Sequence, residues 1–294
     1  MMQNLEITEQ GVFCSGHSAC PGCIEALSVR HIMNVVGLDA VAVVPPSCMA
    51  VISGLQPYSS LRIPVYQTTL ESSAASASGI RRALNQQGKF ATQVVVLAGD
   101  GGTYDIGFQS LSSAVERNED MIYICLDNEG YMNTGGQKSS ASPQYATTGS
   151  TPAGKTSKKK NLTEIMAAHG IPYVATASAG HMDDLIYKVK KAKALRGTKL
   201  ITVLIPCLDG WGLPDNFGIA AARLAVDSGV FPLYEVEDGV KYTLNQRSKT
   251  RQVADYLSPQ RRFKHLRPED VAAIQDSVDI NWERLLAKSL AKCA

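Results

Sequence analysis

Residues 94–128 read VVVLAGDGGTYDIGFQSLSSAVERNEDMIYICLDN. The stretch opens on Val94–Ala98, a continuous apolar run rich in β-branched residues. Such a run is the pattern of a strand buried on both faces. Gly99-Asp100-Gly101-Gly102 then makes a glycine turn, and the apolar positions Ile106, Leu111, Ala114 and Val115 predict a helix beginning near Asp105. Met121–Leu126 reads as a second buried strand. Strand, helix and strand within this compass form a βαβ unit, so the sheet is expected to be parallel.

The turn carries chemistry. A diphosphate is normally presented to protein through Mg²⁺, which takes six oxygens in near-octahedral geometry. Gly99 and Gly101 let backbone approach the phosphates, and the following helix N-terminus offers N–H donors. Asp100 ends one strand and can give a carboxylate oxygen, Asn128 ends the next and can give an amide oxygen, and Gly130 can give a carbonyl. Adjacent parallel strands place these groups at the C-terminal edge, where open α/β sheets bind ligands. A lone Gly-Asp-Gly is often only a turn; Gly-Asp-Gly at a strand end, with an Asn at the end of the next strand, is far more specific.

Working outward, Leu38–Val44 predicts a strand stopped by Pro45-Pro46, and Ser72–Leu84 a helix of small residues that packs closely. Residues 134–160 have no apolar period and predict a long functional loop. Helices are expected at Leu162–His169 and Met182–Leu195, and strands at Pro172–Thr176 and Lys199–Ile205. Beyond Cys207 the alternation stops. Phe231–Leu244 predicts a hairpin turning at Asp238-Gly239, and Pro268–Lys292 a mostly helical stretch. The expected class is α/β, a mostly parallel sheet with helices on both faces, over residues 1–207, with residues 208–294 as an extension packed on the domain or on a partner. Residues 1–16 read as an exposed lead-in.

The chain has 294 residues, 45% hydrophobic and 19% charged, with a net charge of +2. That balance makes no case for nucleic acid, and Lys158-Lys159-Lys160 reads as a solvated loop. No apolar run reaches the roughly 18–20 residues of a membrane span. Met1–Gln10 carries Glu6 and Glu9 without an apolar core, unlike a secretory signal, so a cytoplasmic location is expected. There, seven cysteines read as thiols or metal ligands rather than disulfides. Cys20-Pro21-Gly22-Cys23 is a CxxC turn leading into a helix; Cys48 and Cys207 each follow a strand end, so both can lie at the same sheet edge. Four thiolates can hold zinc or a [4Fe–4S] cluster. A zinc ribbon usually shows two CxxC pairs, and this chain has one. Cys14 could compete, Cys125 reads as core, and Cys293 beside the terminus reads as idle.

The segments GHSACPGC (16–23), PPSC (45–48), LESSAASASGI (70–80), the block from Gly99 to Asn128, NEGYMNTGGQKSSASP (128–143), FPLYEVEDG (231–239) and YLSPQRRFKHL (256–266) together resemble the thiamine-diphosphate-binding β subunit of 2-oxoacid:ferredoxin oxidoreductases, in particular the pyruvate-type enzymes. The resemblance covers nearly the whole chain. It implies that Cys20, Cys23, Cys48 and Cys207 ligate a [4Fe–4S] cluster, with Cys48 also beside the thiamine. It implies that Asp100, Asn128 and the Gly130 carbonyl hold Mg²⁺, and that Asn133 faces the reacting carbon. His17, beside the cluster loop, reads as an exposed structural histidine rather than a substrate contact.

The implied reaction is oxidative decarboxylation of pyruvate to acetyl-coenzyme A and CO₂, or its reverse, with electrons passed to ferredoxin. Ser72, Leu208-Asp209 and Gly136 depart from the pyruvate-type pattern, which keeps oxalate and branched-chain 2-oxo acids open. The implied partners are an α subunit carrying the catalytic Glu and the substrate and coenzyme A contacts, together with γ and ferredoxin-like δ subunits. The competing classes are a non-oxidative thiamine enzyme, which needs no cysteine cluster, and a zinc-stapled scaffold.

Overall fold

The computed structural model describes residues 11–246 and 248–291. The readings of Met1–Gln10 and of Cys293 lie outside the described residues. Eight strands form one sheet: β1 (Ala40–Val44), β2 (Val65–Gln67), β3 (Gln93–Gly99), β4 (Met121–Asp127), β5 (Tyr173–Ser178), β6 (Thr198–Leu204), β7 (Tyr234–Glu237) and β8 (Lys241–Leu244). Their order is β2-β1-β3-β4-β6-β5-β7-β8. The pairs from β2 to β5 are parallel, and β7 joins β5 antiparallel through Val174 opposite Val236.

The apolar runs are buried on both faces, as their composition requires. Along β3 and β4, Val95, Leu97, Ile122 and Ile124 point into one core, and Val94, Val96, Tyr123 and Cys125 into the other. The first core is closed by α1 (Ile24–Val36), α2 (Cys48–Ser53) and α7 (Met182–Ala194), and the second by α3 (Ser73–Gln86), α5 (Phe108–Glu116) and α6 (Leu162–Ala167). On α3 the buried positions are Ser73, Ala74, Ala77, Ser78 and Arg81, so the small residues do lie against the sheet. Cys125 is fully buried core.

The helix expected from Asp105 is divided. A short α4 (Asp100–Tyr104) follows β3 directly, and α5 starts only at Phe108. Between them the chain folds back so closely that a Cβ on Gly107 would lie 2.2 Å from the Gly102 carbonyl oxygen. The lead-in is not wholly exposed either. Val12 and Phe13 are core residues, and Phe13 bridges Leu61.

Downstream of Cys207 come α8 (Leu208–Trp211), α9 (Gly218–Asp227), α10 (Val253–Leu257) and the long α11 (Pro268–Leu290). The β7–β8 hairpin turns at Asp238 and Gly239, whose φ values are 52° and 73°. Left-handed backbone at both positions is what a two-residue turn matched to strand twist needs. Trp211, Ala221, Phe231, Val253, Tyr256, Phe263 and Val278 form a third core that also takes in Leu204 at the end of β6. The described residues beyond Cys207 therefore both extend the sheet and build a subcore over its C-terminal edge. Among the described residues, no helix is long and apolar enough to cross a membrane.

Gly107→Ala is expected to destabilise the protein by roughly 1–3 kcal/mol, the usual cost of overpacking. Gly107 has an ordinary φ of −84°, so the cost is steric. An unchanged urea midpoint would disprove the close approach.

Candidate functional site

Four neighbouring strands, β1, β3, β4 and β6, end at one edge. The residues that follow them are Cys48, Asp100, Asn128 and Cys207. The chain leaves β1 for β2 on one side and returns to β3 on the other, so a topological switch point lies between β1 and β3, where open sheets leave a crevice.

At the ends of β3 and β4, oxygens converge. The inward atom of the Asn128 amide lies 3.0 Å from Asp100 Oδ1 and 2.8 Å from the Gly130 carbonyl oxygen. With its NH₂ turned inward, the amide donates to both. With Oδ1 inward, three oxygens face one another and only a cation can hold them. Neighbouring corners of an octahedron with 2.0–2.1 Å bonds are about 2.9 Å apart, so the set fits Mg²⁺. In that orientation the Asn128 Nδ2–H points at Cys48 Sγ, 3.8 Å away. Ser139 Oγ donates to the other Asp100 oxygen. Burial, and then the neighbouring Asp127 charge, push the Asp100 carboxyl well above the usual range. A divalent cation there would reverse that cost.

The glycine requirement is visible at Gly101, where a Cβ would fall 2.2 Å from the Tyr131 ring. Tyr131 Oη–H is shared between the Gly101 carbonyl at 3.0 Å and Asp105 Oδ2 at 2.9 Å. Asp105 also accepts the Ser140 N–H, so the long loop is tied to the glycine turn.

Behind the Asn128 turn lies a buried ionic network that the sequence did not reveal. Lys159 Nζ donates to Asp127 Oδ2 at 2.7 Å and to Glu129 Oε1 at 2.9 Å. Arg262 Nη2 donates to Glu129 Oε2 at 2.6 Å. The lysine run is therefore not uniformly solvated. Lys159 is drawn into this network, Lys160 donates to the Tyr104 carbonyl, and only Lys158 is exposed. The missed signal was the pairing of this run with the acidic Asp127-Asn128-Glu129.

The cysteines stand beside the oxygens. The turn expected at Cys20–Cys23 forms, with Cys23 N–H donating to the Cys20 carbonyl at 3.0 Å. A Cβ on Gly22 would touch Leu208 and the Asp215 carbonyl, which places this turn against the segment after Cys207. Cys48 is pushed up by burial, then by Glu25, and then by Cys207, Cys23 and Cys20, so these four thiols share one neighbourhood. Burial also raises Cys23 and Cys207, opposed at Cys207 by the Gly210 N–H on its sulfur at 3.3 Å. Among the described residues, no three His, Cys, Asp or Glu side chains close around a single metal ion.

Cys14 pairs through its backbone with Ser60 instead. Glu25, a buried carboxyl whose pKa burial raises to about 8, is a further group that pattern reading overlooked. Asn133 is exposed at the crevice and its Oδ1 lies 2.9 Å from Cys48 Sγ. Cys48 thus contacts Asn128 on the side of Asp100 and Asn133 on the open side. His17 is half-buried and packs on Phe13 with ring centroids 5.0 Å apart.

Residues 48–203 match the family described as Thiamine pyrophosphate enzyme, C-terminal TPP binding domain. Pyruvate synthase subunit PorB of Methanocaldococcus jannaschii is 44% identical over 94% of this chain and 96% of its own. Ketoisovalerate oxidoreductase subunit VorB of Pyrococcus horikoshii is 41% identical over 99% of this chain and 96% of its own. Among solved structures, a 2-oxoglutarate:ferredoxin oxidoreductase from Magnetococcus marinus superposes with a TM-score of 0.62 at 22% identity, over 92% of this chain and 97% of that one. At that identity the superposition speaks for the fold.

Lys155 supports the loop that carries Ser139, Ser142 and Lys159. Its Nζ donates to the Ser142 carbonyl at 2.6 Å and the Lys158 carbonyl at 3.2 Å. Burial, then the charges of Lys138 and Lys159, lower its pKa from 10.5 to about 8. Between these values the unfolded chain binds the proton and the folded chain does not, so this lysine makes stability rise with pH across that window. In urea melts from pH 7 to 10.5, wild type is expected to gain on Lys155→Met as pH rises. A constant difference would disprove the shift.

Proposed function

We propose, for a chain that belongs to the thiamine-diphosphate-binding β subunits of the 2-oxoacid:ferredoxin oxidoreductase family, that it holds its cofactor through Mg²⁺, that Cys20, Cys23, Cys48 and Cys207 carry a [4Fe–4S] cluster, and that its substrate is pyruvate. The observation that carries the reading is the convergence of Asp100, the Asn128 amide and the Gly130 carbonyl within 3.0 Å, with Cys48 in contact with the same asparagine. One sheet edge thus offers hard oxygen donors and soft thiols as neighbours, which suits Mg²⁺ on one side and iron–sulfur on the other.

When bound, thiamine diphosphate supplies a carbon nucleophile that retains electrons after CO₂ departs, and the cluster accepts them singly. The chain's own residues do the rest. Gly99 and Gly101 allow the backbone to approach the diphosphate. Asp100, Asn128 and Gly130 hold its metal. Asn133, exposed at the crevice beside Cys48, turns its amide toward the oxygen of the 2-oxo group, where charge develops. The Gly210 N–H on Cys207, and the backbone N–H groups of Glu25 and Ala26 on Cys23, favour thiolate over thiol.

The described residues build one sheet, so we place the carboxylate that activates the thiamine, and the coenzyme A contacts, on an α subunit. The exposed side chains Val51, Leu55, Tyr58 and Tyr66, on α2, the loop after it and the edge strand β2, support a protein neighbour on that side. Electrons then leave through further clusters on other subunits toward ferredoxin. Pyruvate is chosen because the relatives at 44% identity are named pyruvate synthase subunits; ketoisovalerate subunits match at 41%, between these and a pyruvate synthase subunit at 37%. The second relative keeps 2-oxoisovalerate as the alternative.

The test is viologen reduction by the native complex, purified anaerobically, with pyruvate, 2-oxoisovalerate, 2-oxoglutarate and oxalate, each with and without coenzyme A. Reduction by pyruvate that requires coenzyme A is expected. Preference for another acid reassigns the substrate, and silence with all of them, in a complex that retains iron, rejects the catalytic reading. Two variants separate the cofactors. Asp100→Ala is expected to lose thiamine diphosphate and activity while keeping iron and acid-labile sulfide, and Cys207→Ser to lose iron and sulfide. Full iron in Cys207→Ser would remove it from the cluster.

A further inference from the structure

Glu129 has a φ of +67°, left-handed backbone at a residue with a bulky side chain. Such a residue is strained and persists only where its surroundings over-determine it. Here they do so on every side. Its N–H donates to Asp127 Oδ1 at 3.1 Å and its carbonyl accepts from Ser142 Oγ at 2.6 Å. Its carboxylate takes Lys159 and Arg262. The preceding carbonyl, of Asn128, accepts the Trp211 Nε1–H at 2.8 Å. The reversed backbone sends the Glu129 side chain inward and turns the Asn128 amide and the Gly130 carbonyl toward each other on the opposite side, 2.8 Å apart.

Arg262 is itself built in. It is 5% exposed, its Nε donates to Gln260 Oε1 at 2.8 Å, and its guanidinium lies 3.8 Å from the centre of the Trp211 ring. Its carbonyl accepts the Thr147 N–H at 3.0 Å. Lys159 and Arg262 pair with Asp127 and Glu129; of these three buried carboxylates, Asp100 alone has no ion pair among the described residues.

We propose that Arg262, with Trp211, is a positioning residue that holds Glu129 in left-handed backbone and thereby aims the Asn128 amide and the Gly130 carbonyl at one divalent cation. The inference rests on the reading of Asp100, Asn128 and Gly130 as metal oxygens. It gives residues far along the chain, which lie outside the matched region of 48–203, a part in metal retention exerted through the Asn128-Glu129 backbone.

The test uses the reconstituted complex, stripped of metal and titrated with Mn²⁺ in the presence of thiamine diphosphate, with bound Mn²⁺ read by electron paramagnetic resonance and the thermal midpoint recorded alongside. Arg262→Met is expected to weaken Mn²⁺ binding by about 10- to 100-fold, the usual effect of losing a group that orients a metal ligand. The double variant Glu129→Gly with Arg262→Met is expected to recover most of that loss, because glycine adopts the left-handed conformation unaided and removes the carboxylate stranded by the first change. Trp211→Phe, which removes the N–H donor and part of the ring surface under Arg262, is expected to weaken binding in the same direction, and it carries the test if Arg262→Met does not assemble. Wild-type affinity in Arg262→Met or in Trp211→Phe, with or without a lowered thermal midpoint, overturns the proposal. So does a double variant that binds as poorly as Arg262→Met. A wild-type complex with no Mn²⁺ site that depends on thiamine diphosphate rejects the underlying metal reading instead.

Discussion

An amide oxygen with a carboxylate oxygen 3.0 Å away and a carbonyl oxygen 2.8 Å away has no stable arrangement by itself. Either a proton donor turns in among them or a cation does. The rest of the architecture serves that constraint. Parallel pairing of β3 with β4 brings Asp100 and Asn128 side by side, since Gly99 sits opposite Leu126 in register. The left-handed step at Glu129 adds the Gly130 carbonyl. Half-buried Lys159 and buried Arg262 neutralise Asp127 and Glu129. A buried ion pair contributes little to net stability, so this network is better understood as fixing geometry than as strengthening the fold.

Cys48 joins the two halves of the site. It follows β1, next to β3 in the sheet, and its sulfur contacts amides that belong to both the metal turn and the open crevice. On the proposed reading, the group that loses electrons and the group that takes them are separated by little more than one side chain. The Asn128 amide reports on both: oxygen toward the cation leaves N–H toward sulfur, and the reverse orientation suits a thiol. Metal and thiolate are therefore favoured by the same rotamer.

Much of the architecture was legible because it rests on local patterns. Apolar β-branched runs marked β1, β3, β4, β5 and β6, and Asp238-Gly239 marked the hairpin. What escaped needed tertiary information. The three-residue β2 is set by its pairing with β1 rather than by its own sequence. The break between α4 and α5 comes from the Gly107–Gly102 approach, which no periodicity records. Lys159 looked like its neighbours Lys158 and Lys160, and only the fold shows which of the three meets Asp127 and Glu129. Arg262 lies in a segment legible by resemblance, yet its partner is on a strand end encoded far upstream. Residue types with a fixed chemical use, the glycines, cysteines and Asp-Asn pair, announced themselves; side chains that act through others did not.

The strand ends that supply Cys48, Asp100, Asn128 and Cys207 are adjacent in the sheet, but β6, which delivers Cys207, is paired between β4 and β5. Until that central strand is inserted, the CxxC turn and the oxygen set have no fourth wall. During synthesis the N-terminal cysteines emerge long before the one that closes their neighbourhood, and non-local parallel pairing of this kind is slow. On the proposed reading, a chain stalled before β6 lacks Cys207 and the strand that pairs with β4, so the cysteine set stays incomplete until the sheet is closed.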